Sequence, residues 1–154
     1  MAFLGPNDIM FTEKDAGTVR RVVNGTDLRQ PLLNLSVATY AHRGLLGIAV
    51  APPTTAASST NHGMRNSITY VFLYYTQAQT HTGDDITEGK QPLGNRLYRY
   101  ELTDNKLVNP KLLLDLPATP GAIGNGGKVI VGPDNNVYVT IGDVGINGHN
   151  TIHH

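Results

Sequence analysis

Short apolar runs recur along this chain between clusters of glycine, proline and small polar residues, and no convincing helical period interrupts them. Ile9 to Glu13 and Thr18 to Val23 flank Lys14-Asp15-Ala16-Gly17, which predicts a hairpin. Pro31 to Leu35 reads as a short apolar strand. Gly44-Leu45-Leu46-Gly47-Ile48-Ala49-Val50 is continuous and apolar, as expected of a strand buried on both faces. Thr69 to Tyr75 is the strongest strand signal, and Arg96 to Leu102 alternates polar and apolar, as a half-buried strand does. Lys111 to Leu114 is a short strand. Lys128 to Val131 and Val137 to Ile141 are strands on either side of Gly132-Pro133-Asp134-Asn135-Asn136, which is dense turn chemistry. Pro52 to Asn66, Gln77 to Gly94 and Pro117 to Gly127 read as loops. After Gly145 the chain turns to Asn, Gly and His without a closing element.

The fold class is therefore all-β, and a weak internal echo points to repetition. Gly5-Pro6-Asn7-Asp8-Ile9 followed by Lys14-Asp15-Ala16-Gly17 mirrors Gly132-Pro133-Asp134 followed by Gly142-Asp143-Val144-Gly145. Radially repeated blades of antiparallel four-stranded sheet leave such a trace. The division expected is the end of one blade at about 5–35, a full blade at about 44–115 and the start of a next blade at 126–145. At about 40 to 50 residues per blade the chain holds two to three, whereas propellers close with about 4 to 8. The expectation is thus a fragment of a longer propeller, with a short stand-alone β-sandwich as the alternative.

Composition narrows the function more than the fold. Lysine plus arginine and aspartate plus glutamate number 12 each, so no net field draws nucleic acid or an anionic membrane. Charged residues are only 16%, and there are 17 glycines and 9 prolines, as suits a turn-rich β protein. Cysteine is absent, which removes disulfides, thiolate catalysis and cysteine-bound zinc together. No run approaches the ~20 apolar residues of a membrane-spanning helix. Met1-Ala2-Phe3-Leu4 lacks a basic start and meets Gly5-Pro6 at once, so no signal peptide is read.

The stretch from Gly124 to Gly145 carries a sharper signal. It runs Gly124-Asn125-Gly126-Gly127-Lys128-Val129-Ile130-Val131-Gly132-Pro133-Asp134 and on through Val137 to Thr140-Ile141-Gly142-Asp143-Val144-Gly145. It is preceded by His42-Arg43-Gly44-Leu45-Leu46-Gly47-Ile48, by Tyr70 to Tyr75 and by Gly94-Asn95-Arg96-Leu97-Tyr98-Arg99-Tyr100. In this order the chain resembles the soluble quinoprotein glucose/sorbosone dehydrogenases, six-bladed β-propellers that oxidise sugars with pyrroloquinoline quinone (PQQ). The resemblance covers nearly the whole chain. It implies export of the complete protein to an extracellular or periplasmic space, which fits a chain truncated at its N-terminus.

The same resemblance implies roles residue by residue. In the family a histidine precedes the glycine-led inner strand and acts as catalytic base; here that position is Gly124, which has no side chain to accept a proton. Asp143 corresponds to the acid that orients the histidine and stabilises its charged form. A plain reading of Asp143 is an acceptor of backbone N–H bonds in its own turn. His42 falls where the family places a substrate-contacting glutamine, and it can both donate and accept. Arg43 could face quinone carboxylates and substrate, and Lys128 could point into the channel toward anionic cofactor groups. Both positions are also compatible with ordinary loop and surface residues. No metal ligand is read in the chain, and calcium is expected from later blades. His149, His153 and His154 lie in a tail that could supply another base, while His62 and His81 are expected to be solvated. Tyr70, Tyr74, Tyr75, Tyr98, Tyr100 and Tyr138 are expected to pack within or between blades. Asn24-Gly25-Thr26 and Asn34-Leu35-Ser36 match a glycosylation sequon that is frequent by chance.

Two functions follow from different classes. One is part of a PQQ-dependent sugar dehydrogenase, with a small sugar as substrate and an external electron acceptor as partner, the 154-residue piece itself being inactive. The other is a non-catalytic propeller that binds carbohydrate or protein and has lost its base. Open blade flanks lead to a further expectation, that the piece self-associates.

Overall fold

The computed structural model describes residues 1–51, 53–55, 67–81, 91–119 and 121–144. Most of the two long loops, His62, and the tail with His149, His153 and His154 lie outside the described residues. Twelve strands form three antiparallel sheets, and no helix occurs among the described residues.

The first sheet contains β1 (Ala2–Gly5), β2 (Asp8–Glu13), β3 (Thr18–Val23), β4 (Thr26–Asp27) and β5 (Leu33–Asn34). Its order is β1-β2-β3-β4, with β5 also paired to β3. The expected hairpin is β2–β3, with Glu13 opposite Thr18 and the Gly17 N–H donating to Glu13 O at 3.0 Å. Gly17 has φ +70, and a Cβ there would fall directly on Leu35 O, so glycine alone fits this turn. The sheet begins at Ala2 and not near residue 5. A four-residue strand carries too little alternation to be read alone, and the ladder to β2 (Ala2 opposite Met10, Phe3 opposite Ile9) is what defines it.

The second sheet contains β6 (Leu45–Val50), β7 (Thr54–Thr55), β8 (Ser67–Gln77), β9 (Gly94–Thr103) and β10 (Lys106–Leu116), in the order β10-β9-β8-β6 with β7 on β8. The strand expected at Lys111 to Leu114 is thus much longer. Pro110 hides it in the sequence, yet β10 is an edge strand, where a missing N–H breaks no ladder bond. The register shifts between Val108 and Lys111, and Asn109 there has φ +52, so Asn109-Pro110 forms a bulge. The third sheet pairs β11 (Gly127–Val131) with β12 (Val137–Ile141) in full register, from Gly127 opposite Ile141 to Val131 opposite Val137.

Packing shows how the sheets are stacked. Val71, Leu73 and Tyr75 of β8 join Met10, Val19, Leu32, Val37 and Leu45 in a core between the first and second sheets. Phe72 and Tyr74 of the same strand join Ala49, Leu97 and Val129 in a core between the second and third. Alternate residues of β8 therefore serve different cores, which is why its apolar run is unbroken. In β6 the register shift between Leu45 and Gly47 lets Leu45 and Ile48 share the first core while Ala49 joins the second. Such sheets, each packed face to face on the next, are successive propeller blades. β6 and β11 lie side by side as inner strands, and a Cβ on Gly47 would stand 3.0 Å from Val129 Cγ2. Residues of β6 and β11, with Met1 and Ala2, line a groove of about 370 Å³.

Candidate functional site

The start of β6, the end of β8, the start of β9, the start of β11 and the end of β12 lie at one end of the stack. Residues 40–44, 117–119, 121–126 and 142–144 cap this mouth. The first is a tight turn, with Arg43 N donating to Tyr40 O at 3.1 Å and Ala41 at φ +54. Gly44 closes it against the first sheet: it has φ +133, and a Cβ would lie 2.7 Å from Lys14 O. The next residue, Leu45, donates its N–H to that same oxygen at 2.8 Å.

Arg43 runs beneath the 117–124 loop. It is 2% exposed, and its Nη2 donates to Ala118 O at 2.7 Å and Gly121 O at 3.3 Å. A guanidinium so placed holds a loop; its Nη2 is directed at backbone carbonyls and not at an open cofactor face. Beside it lies a buried amide network. Thr76 Oγ1 donates to Asn95 Oδ1 at 2.7 Å, and Asn95 Nδ2 donates to Asn125 Oδ1 at 2.8 Å and to Pro117 O at 3.0 Å. Asn125 Nδ2 donates to Gly121 O at 3.0 Å, and the Tyr74 hydroxyl donates to Asn125 O at 3.2 Å. Asn95 and Asn125 are fully buried, and these bonds answer their polar atoms. Burial pushes the Tyr74 hydroxyl up to about 12, so it stays a donor.

Above this network sits Gly124, at φ +74. Its N–H donates to His42 Nδ1 at 3.1 Å, while the His42 N–H donates to Ala122 O at 3.2 Å. Its carbonyl accepts from Val144 N at 3.0 Å. Gly142 N donates to Gly126 O at 2.9 Å, and Gly121 N donates to Val144 O at 3.0 Å. A Cβ on Gly142 would fall directly on Gly124 O, which explains glycine there. Asp143 is exposed between Gly142 and Val144, both of them tied to the 121–126 loop. The structure thus brings His42, Gly124 and Asp143 to one place.

The other candidate residues lie elsewhere. Lys128 is exposed and lines the groove along β6 and β11, apart from the cluster around Gly124. His81 is exposed. Tyr75 stacks on Tyr98 with ring centroids 5.6 Å apart, and Arg99 lies 4.3 Å over the Tyr70 ring, as expected of tyrosines within a blade. Tyr138 lies on the outer face of the third sheet. It is 51% exposed, faces away from the second sheet and donates its hydroxyl to Asp134 Oδ2 at 2.8 Å. Among the described residues no group of three or more His, Asp or Glu side chains could hold a metal ion.

Sequence reasoning missed Thr76, Asn95 and Asn125. A buried asparagine has no periodicity of its own. The available signal was its place beside glycine in Gly94-Asn95 and Gly124-Asn125, where a loop meets an inner or neighbouring strand.

Comparison with known families agrees with the stack of sheets. The family model described as Glucose / Sorbosone dehydrogenase matches residues 1–151. No curated protein matches the chain. With nearly every residue within that match, the chain belongs to the glucose/sorbosone dehydrogenase family.

Proposed function

We propose that this mouth forms part of the substrate site of a PQQ-dependent sugar dehydrogenase, acting on the C1 hydroxyl of an aldose within a closed propeller. The observation that supports the reading is the pinning of the 142–144 turn onto the 121–126 loop, so that Asp143, which the resemblance makes the orienting acid, belongs to a turn held beside Gly124. When bound, the quinone supplies the hydride acceptor. The residues present fit it in part. Lys128 is an exposed cation on the inner-strand groove and suits carboxylate groups of the cofactor. Arg43 does not, because it is buried under the loop and bonded to Ala118 and Gly121. Its contribution is to fix the turn that carries His42. Calcium would be held outside the described residues.

A second reading has its own observation. Gly124 offers no proton acceptor, which favours a mouth that binds carbohydrate without oxidising it. One experiment separates the two. In a closed propeller carrying these residues, supplied with quinone, calcium and a dye acceptor, Gly124→His is expected to raise sugar oxidation by roughly 10² to 10⁴. Asp143→Asn should cancel that gain. If the glycine form already turns over as fast as the histidine form, a different base acts and His149 is the first residue to change.

A further inference from the structure

The dipeptide Asn-Gly occurs at Asn24-Gly25, Asn125-Gly126 and Asn147-Gly148, the last outside the described residues. The first two sit in opposite surroundings. Asn24 and Gly25 are the central residues of the β3–β4 hairpin, with Val23 opposite Thr26. Both have positive φ, +50 and +77, as a type I′ turn requires. Both are exposed, and a Cβ on Gly25 would meet nothing within 4 Å. Among the described residues no hydrogen bond holds the Asn24 side chain or the Gly25 N–H. The turn is anchored instead through Asn24 N, which donates to Asn7 O at 2.8 Å. Asn125, in contrast, is fully buried. Its side chain accepts from Asn95 and donates to Gly121 O, and its main-chain carbonyl accepts from the Tyr74 hydroxyl.

We propose that Asn24 is a site of spontaneous deamidation through a cyclic imide, and that the fold permits this reaction at Asn24 while blocking it at Asn125. The Gly25 amide nitrogen attacks Asn24 Cγ. A bond forms between them, the Cγ–Nδ2 bond breaks, and ammonia leaves with the amide proton. Water then opens the five-membered imide at one of its two C–N bonds. Opening at Cγ leaves aspartate; opening at the main-chain carbonyl leaves isoaspartate, with the chain running through Cβ. Ring closure needs the Asn24–Gly25 peptide plane to turn so that the nitrogen approaches Cγ. In a two-residue hairpin that rotation carries the turn toward type II′, which keeps positive φ at its first residue and suits the same flanking strands. Glycine at the second position accepts either sign of φ. At Asn125 the same rotation breaks the bond from Tyr74, and the side chain must also leave Asn95 and Gly121 in a dry site. Asn24 heads the sequon Asn24-Gly25-Thr26, so deamidation and attachment of a glycan would compete for one amide.

The full chain, made in a host that adds no N-linked glycan, is held in warm, mildly alkaline buffer and sampled over days. Melting curves on each sample check that the fold is retained, and trypsin digestion at mildly acidic pH follows. Mass spectrometry should find the peptide Val22–Arg29 heavier by one mass unit, as two products separable by chromatography, with isoaspartate the larger. The peptide Leu112–Lys128, whose one asparagine is Asn125, should react at least about tenfold more slowly. In urea the two peptides should react at nearly equal rates. Asn24→Gln should abolish the mass gain in Val22–Arg29, because its side chain closes only to a slower-forming six-membered ring. Equal rates for the two peptides in the folded protein overturn the proposal, and so does a Val22–Arg29 peptide that reacts only in urea. A difference that persists undiminished in urea overturns the role given to the fold.

Discussion

Asn125 shows what a single buried amide does at this mouth. It links the second sheet, through Asn95, to the loop that carries Gly124. Asn125→Ala leaves the Gly121 carbonyl with only the longer bond from Arg43 and takes one acceptor from the Asn95 amide in a dry site, and a loss of about 1 to 3 kcal/mol is expected. Urea unfolding reads it as a lower midpoint with unchanged slope. Tyr74 gives a pH signature to the same network. Its ionised form is excluded by burial, so its contribution is complete below the ordinary tyrosine value of about 10 and is lost as pH rises from there through about 12. Burial disfavours the phenolate about a hundredfold, so a loss on the order of 2 to 3 kcal/mol is expected across that window. Tyr75 and Tyr100 are also pushed up by burial, so Tyr74→Phe should remove only part of the alkaline loss in melting temperature. At this scale the sequence spoke unevenly. Gly124, Asp143 and His42 stand in motifs with a fixed order and so could be named. Asn95 and Asn125 could not, because what makes them important is each other, and they are far apart along the chain.

Strands were legible wherever alternation or an unbroken apolar run was long enough to register, as in β8 and β9. β1 and the first half of β10 were not, the one for shortness and the other because proline masks an edge strand. The join between blades makes a firm prediction. Gly47 abuts Val129 so closely that Gly47→Val must push β6 and β11 apart, at a cost of about 1 to 3 kcal/mol for overpacking. Gly5, whose Cβ would meet nothing nearby, is the matched control, with Gly5→Ala expected to change the melting point little. Within the first sheet, Arg21 grips Asp8 through Nε to Oδ1 at 2.8 Å and Nη2 to Oδ2 at 2.6 Å. That hydrogen bonding, aided by the arginine charge, holds Asp8 below the usual carboxylate range. The pair's contribution is thus full above about pH 4 and fades as pH falls through the lowered value. Asp8→Asn should cost about 1 kcal/mol at neutral pH and flatten the acid limb of the stability curve.

For the whole molecule, the two ends of the stack matter most. On the first sheet Phe3, 62% exposed, stands opposite Ile9 on the face turned away from the second sheet. On the third, Ile130 and Tyr138 form an exposed cross-strand pair, 48% and 51% open. Flat apolar faces of this kind seek a partner sheet. The 154-residue chain is expected to associate in solution, and Phe3→Ser with Ile130→Thr to shift it toward smaller species. Light scattering that finds a cooperatively melting monomer refutes this.

The arrangement around Arg43 also bears on how the chain comes to be folded. The β11–β12 hairpin is local and can form early, but it docks on the apolar face of the second sheet and on a loop that has no ladder of its own. That loop is shaped by Arg43, Asn95 and Thr76, all supplied by the second sheet and the turn that leads into it. Arg43 and Gly121 are 78 residues apart in sequence, so their contact must overcome the entropy of closing a long loop. The third blade is therefore expected to dock after the second is complete, an order that pulsed hydrogen-exchange labelling would read as later protection of β11 and β12 than of β8 and β9.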